Sequence, residues 1–175
     1  MNFRQLLLLA GSLLLLGSFA GTAFASEIIA RPDANGIIRL DSKMIDGRAL
    51  HVRIMLRRTN QTDREEARFL DEHNLGSDWW GGNLVPDHII STFEVRVGKE
   101  EVPLFRSAYA DLSDVRIAKL DASKSGFSIS VCGGETGTGY IARIEFEGPY
   151  LKGREVSHNE MGLQEKDQYF PVRDN

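Results

Sequence analysis

Phe127-Ser128-Ile129-Ser130-Val131 and Tyr140-Ile141-Ala142-Arg143-Ile144-Glu145-Phe146-Glu147 decide the fold. In the first, apolar and hydroxyl residues alternate with a period of two. In the second, the even positions are apolar and three of the four odd ones are charged. A period of two places alternate side chains on opposite faces of a strand, one on a core and one in water. Between them Gly133-Gly134-Glu135-Thr136-Gly137-Thr138-Gly139 suits a turn and would weaken a strand. Gly148-Pro149 turns the chain again into Tyr150-Leu151-Lys152, so Gly126 to Val156 reads as consecutive antiparallel strands.

Working outward, the same pattern recurs. Leu50, Val52, Ile54 and Leu56 alternate with His51, Arg53, Met55 and Arg57. Ile89, Ser91, Phe93, Val95 and Val97 alternate with His88, Ile90, Thr92, Glu94 and Arg96. Val115 to Leu120 reads as a further strand, and Glu27-Ile28-Ile29-Ala30 and Ile37-Ile38-Arg39-Leu40 flank the Asn35-Gly36 turn. Pro103 would cost a central strand one ladder hydrogen bond, so the return after Gly98-Lys99-Glu100-Glu101 is an edge or a short piece. Asp167 to Pro171 is a candidate last strand. The pattern breaks at Thr59. Thr62-Asp63-Arg64-Glu65 matches a capping box and predicts one short helix over about residues 63–74.

Short strands separated by turn chemistry, with one short helix, define a mainly β chain: an antiparallel β-sandwich or a partly open barrel. The alternation predicts a core of Leu50, Val52, Ile54, Leu56, Phe93, Val95, Val97, Ile117, Phe127, Ile129, Val131, Tyr140, Ile144 and Phe146.

The first residues stand apart. Arg4, the leucine-dominated run Leu6 to Leu16 and the small-x-small site Ala23-Phe24-Ala25 have the three-part layout of a secretory leader. The apolar run contains Gly11 and Ser12 and is shorter than the roughly 20 apolar residues a spanning helix needs. The expectation is therefore a signal peptide over residues 1–25, cleavage before Ser26, and a single β-rich domain over 26–175, periplasmic or secreted, without membrane insertion after cleavage. Removing 25 of the 175 residues leaves 150, enough for one core. The leader carries one base and no acid, so the remainder has 20 bases and 25 acids, a net charge of −5. Without a clustered basic face, nucleic acid and anionic membrane surfaces are poor partners. Cys132 is the only cysteine, so no internal disulfide forms; it is expected to be a small buried side chain at a strand end.

The chemistry-bearing motifs are sparse. A P-loop needs a Lys after its last Gly and a helix behind it, whereas Tyr140 and a strand follow Gly139. No G-x-S-x-G elbow marks a hydrolase nucleophile. Asp71, Glu72, His73, Asp78, Asp87 and His88 cluster in sequence, but H-E-x-x-H is absent, and adjacent acids usually face water; no metal and no cofactor is assigned. Trp79 and Trp80 are the most informative pair. An extended backbone sends adjacent side chains to opposite faces, so one can enter the core while the other is displayed between the helix and the strand at Ile89; the alternative is that both cap the end of the sandwich. The candidate binding residues are Trp79, Trp80, Asp78, Asp87 and His88; none is assigned a catalytic role.

Trp79-Trp80-Gly81, the Val95 to Pro103 hairpin, Ser107-Ala108-Tyr109-Ala110-Asp111-Leu112, Gly133-Gly134 and the Phe146 to Leu151 hairpin together resemble a family of small exported bacterial β-sandwich-like proteins without an assigned function. The resemblance covers roughly the second half of the mature chain. It implies a fold and an envelope location and supplies no site residue.

Two function classes follow. The leading one is a noncatalytic envelope protein that binds another protein in an inhibitor, immunity or assembly role. The alternative is a glycan-binding module, or a hydrolase of cell-wall sugar, that uses Trp79 or Trp80 with nearby acids. One observation separates them: a Trp lining a concave groove beside carboxylates favours a glycan, and a flat apolar patch favours a protein.

Overall fold

The computed structural model describes residues 27–73, 79–81, 85–135, 139–158 and 164–168. The leader, Asp78 and residues 169–171 of the expected last strand lie outside the described residues. The chain forms two antiparallel sheets. One contains β1 (Ile28–Ala30), β6 (Val115–Ala122), β7 (Gly126–Gly133), β8 (Tyr140–Glu147), β9 (Tyr150–His158) and β10 (Gln164–Gln168), in that spatial order. The other contains β2 (Ile37–Lys43), β3 (Ala49–Arg58), β4 (His88–Val97) and β5 (Glu100–Glu101). Helix α1 (Gln61–Glu72) joins β3 to β4, and a 3-10 turn at Arg106–Ala108 lies between β5 and β6. The sheets face each other as a sandwich, and the described strands do not close into a barrel.

The deciding stretch is β7, β8 and most of β9. Ile129 pairs with Ile144, Val131 with Ala142, and Ala142 in turn with Val156. These inward side chains are fully buried, as are Leu40, Leu50, Ile54 and Val95 from the opposite sheet. Each such Ile, Leu or Val contributes about 1.5–3 kcal/mol through removal from water. Phe127 and Phe146 stack at a centroid separation of 4.4 Å at one end of the core. Gly126 is required beside them, because a Cβ there would meet the Phe146 carbonyl oxygen at 1.9 Å.

Departures from simple alternation occur at two bulges. On β4 the register shifts so that Met55 pairs with Thr92 and Leu56 with Ile90, and Ser91 is left over. Ile90 is therefore buried where alternation places Ser91, and Ser91 is exposed; Leu56, on the partner strand, is partly buried and packs against the core. A second bulge between Val115 and Ile117 puts Val115, Ala118 and Leu120 in the core and leaves Ile117 half-exposed. A bulge inserts one residue and so reverses which face the following residues occupy, which a period-two reading does not anticipate. Cys132 also differs from expectation. It sits half-exposed on the outer face of the larger sheet, paired with Ile117 and Ile141, while its neighbours Val131 and Gly133 are buried. Partial burial pushes its thiol pKa up.

The helix starts two residues earlier than expected, with a different cap. The Asn60 side chain accepts from the Asp63 N–H at 3.0 Å, and the Asp63 carboxylate accepts from the Asn60 N–H at 2.7 Å. The reciprocal box is therefore Asn60 with Asp63, rather than Thr62 with Glu65. Asn serves at least as well as Thr at this position.

Candidate functional site

The site begins where β3 ends. The Arg57 guanidinium grips both oxygens of Asp63, at 2.6 and 2.8 Å. This fork pins the first turn of α1 to the sheet, and it holds the Asp63 carboxyl below the ordinary carboxylate pKa. Thr59 ties the same corner to the start of β4. Its hydroxyl donates to the Pro86 carbonyl at 2.9 Å, and its N–H donates to the Asp87 carbonyl at 3.1 Å.

The two tryptophans are placed differently. Trp80 packs against the core, and its backbone forms a parallel bridge with Leu112. The Trp80 N–H donates to the Asp111 carbonyl at 2.7 Å, and the Ser113 hydroxyl donates to the Trp80 carbonyl. Gly81, at φ 130°, follows in a space that admits no side chain: a Cβ would lie 2.9 Å from Ser113 Oγ and 3.2 Å from Gly134 Cα. Trp79 lines a cleft instead.

That cleft has a volume of about 500 Å³. Arg57, Asp63 and Glu66 line one side, Ile89, Ile90 and Ser91 of β4 line it further along, and Arg106, Ala110 and Asp111 come from the connection before β6. Its lining thus combines one indole with three carboxylates and two guanidiniums.

Behind Asp111 lies a charge inside the sandwich. Arg154 of β9 pairs with Ile144 and shares its inward face. Its side chain is only 3% exposed. It donates to Asp111, to Glu165 at 2.9 Å and to Asp167 at 3.1 Å, the last two on β10. Asp111 Oδ1 and Arg154 Nε are buried without a hydrogen-bond partner. Burial pushes the Asp111 carboxyl above the ordinary range. Arg154 opposes this, but it is shared among three carboxylates, so the upward direction prevails.

The other sequence candidates lie elsewhere. Asp87 is exposed, and its contribution is the carbonyl that receives Thr59. The His88 N–H donates to the Asp114 carboxylate at 2.9 Å, and the Asp114 N–H returns to the His88 carbonyl at 2.9 Å. His88 thereby fastens β4 to the connection before β6. Asp114 adopts φ 46°, the left-handed region that a short polar side chain tolerates. Of the five candidates, Trp79 alone is among the described residues lining the cleft; Trp80 and His88 help to hold the surrounding connections, and Asp87 contributes its carbonyl. Among the described residues, no group of three or more His, Cys, Asp or Glu is arranged to hold a metal ion.

The sequence reading did not single out Arg57, Asp63, Glu66, Arg106, Asp111 or Arg154 as site residues. One signal for Arg154 was present: it lies two residues before Val156 on a strand, and so shares its face. Nothing local marks the others, which come from β3, α1 and the connection before β6.

No family model, curated protein or solved structure matches the chain.

Proposed function

We propose that this protein is an exported, noncatalytic glycan-binding module and that the cleft beside Trp79 is its binding site. The single observation carrying this reading is the concave lining itself: an aromatic ring together with Asp63, Glu66, Asp111, Arg57 and Arg106. Sugar recognition needs this combination. A ring offers a flat apolar face to the C–H face of a pyranose, and planar charged side chains accept from or donate to its hydroxyls in pairs. A volume of about 500 Å³ suits one to a few sugar residues. The noncatalytic part of the reading rests on two of the three carboxylates being already engaged, which leaves Glu66 alone where glycoside hydrolysis uses a pair. Asp63 caps a helix and holds Arg57, and Asp111 is engaged by Arg154.

The test is binding to an array of cell-wall and capsular saccharides, followed by calorimetry with a soluble hit. The mature protein is expected to bind. Trp79→Ala should weaken binding about 30-fold, the equivalent of about 2 kcal/mol for an aromatic anchor, and leave the melting temperature nearly unchanged. Trp80→Ala should lower the melting temperature, because Trp80 packs on the core. Absence of saccharide binding by the wild-type protein, or full binding by a folded Trp79→Ala variant, would overturn the proposal. Export is tested separately: mass spectrometry of the extracytoplasmic form should find Ser26 first, and an intact Met1 would contradict it.

A further inference from the structure

The cleft's charges are unevenly answered. Arg57 and Asp63 satisfy each other through two hydrogen bonds. Arg154 is one cation facing three carboxylates, Asp111, Glu165 and Asp167, so the group behind the cleft keeps a net negative charge. Asp111 carries that charge to the cleft wall, where its side chain is 27% exposed. One of its oxygens is buried and has no donor. Glu66, on the exposed face of α1, also lines the cleft and forms no ion pair among the described residues.

Arg106 is the opposing charge on the wall. It and Glu66 are both exposed, so water screens both and they roughly offset each other, whereas Asp111 is largely withdrawn from water. The less solvated charge dominates the local potential. A ligand group that donates hydrogen bonds and carries positive charge therefore fits this wall best. It would answer Glu66 and the partly exposed carboxylate of Asp111.

We infer that the preferred ligand is a saccharide bearing a free ammonium group, seated by Asp111 and Glu66 while Trp79 takes the sugar face. This rests on the glycan reading of the same cleft. An N-acetylated sugar keeps the ring and the hydroxyls and loses the positive charge, which makes it the discriminating comparison. Burial of Asp111 raises its pKa; a bound ammonium would lower it again.

The experiment is calorimetric titration of the mature protein with the β-1,4-linked tetramer of glucosamine and with its fully N-acetylated counterpart. It is run at about pH 6, below the ordinary pKa of an amine, at low and at physiological salt. The amine form is expected to bind about tenfold more tightly or better, with a preference that shrinks as salt rises. Glu66→Gln and Asp111→Asn should each weaken the amine tetramer severalfold more than the N-acetylated one, so that the preference falls. Glu66 is exposed on the helix, so Glu66→Gln decides the matter if Asp111→Asn fails to fold. Equal or tighter binding of the N-acetylated tetramer overturns the ammonium inference and leaves the glycan reading standing. Binding of only other, neutral saccharides through Trp79 has the same consequence. Absence of binding to any saccharide removes both.

Discussion

Val156 and Arg154 occupy successive inward positions on β9, and their surroundings differ completely. Val156 pairs with Ala142, and both side chains are fully buried among aliphatic residues of the two sheets. Arg154 pairs with Ile144, is nearly as buried, and reaches three carboxylates from β10 and from the connection before β6. A sandwich of this size gains its stability from the first kind of position. A buried ion cluster gains little over an apolar replacement, because desolvation offsets the Coulomb attraction. The cluster also leaves two buried polar atoms unpaired, an arrangement native proteins rarely accept. The apolar middle of the sandwich is therefore scaffold. The charged end, which Trp79 and Asp111 open to solvent, carries the unpaired buried atoms and borders the proposed binding cleft.

The contrast breaks most visibly at Arg154. Arg154→Ala leaves three carboxylates converging without their cation and should cost about 3–5 kcal/mol. Arg154→Met, combined with Asp111→Asn, Glu165→Gln and Asp167→Asn, removes the charges together and should recover most of that loss. Denaturant midpoints measure both. A large loss for Arg154→Ala with no recovery would show that the guanidinium stabilises the fold outright.

In the apolar middle, Ile144→Ala should cost about 2–5 kcal/mol, and Glu145→Ala, on the other face of β8, should stay within about 0.5 kcal/mol. Equal midpoint shifts would contradict the register of β8.

A smaller, pH-dependent effect belongs to the corner that frames the cleft. The Asp63 carboxyl is held below its ordinary pKa, chiefly by Arg57. A depressed folded pKa contributes stability that is fully present above the unfolded carboxylate value and disappears as pH falls through the folded one. The stability difference between wild type and Asp63→Asn should therefore be largest near neutrality and shrink below the ordinary carboxylate range. A difference independent of pH would mean that the charge on the Asp63 carboxylate does not carry the effect.

The fold was largely legible in the sequence because the scaffold repeats one physical rule. Phe127, Ile129, Val131, Ile144 and Phe146 announce their face by alternation alone, and the structure buries all of them. Ser91 and Ile117 mislead for one reason: an unpaired residue in each bulge reverses the following faces, and no residue type nearby requires it. The cleft was less legible. Adjacency gave Trp79 and Trp80 different environments, which the structure shows as one lining the cleft and the other on the core. The acids expected to join them were chosen by nearness in sequence, whereas Asp63, Glu66 and Asp111 arrive through the β3–α1 corner and the connection before β6. A non-local site of this kind leaves no spacing pattern to read.

The most direct test of the central claim uses the protein's own indoles. The chain has two tryptophans, so Trp80→Phe leaves Trp79 as the only one. Titration of that variant with a saccharide it binds should shift the Trp79 emission to shorter wavelength and saturate with the calorimetric affinity, as water over the ring is replaced by a sugar face. An unchanged Trp79 emission across a titration that calorimetry shows to be saturating would place the binding site elsewhere and contradict the account.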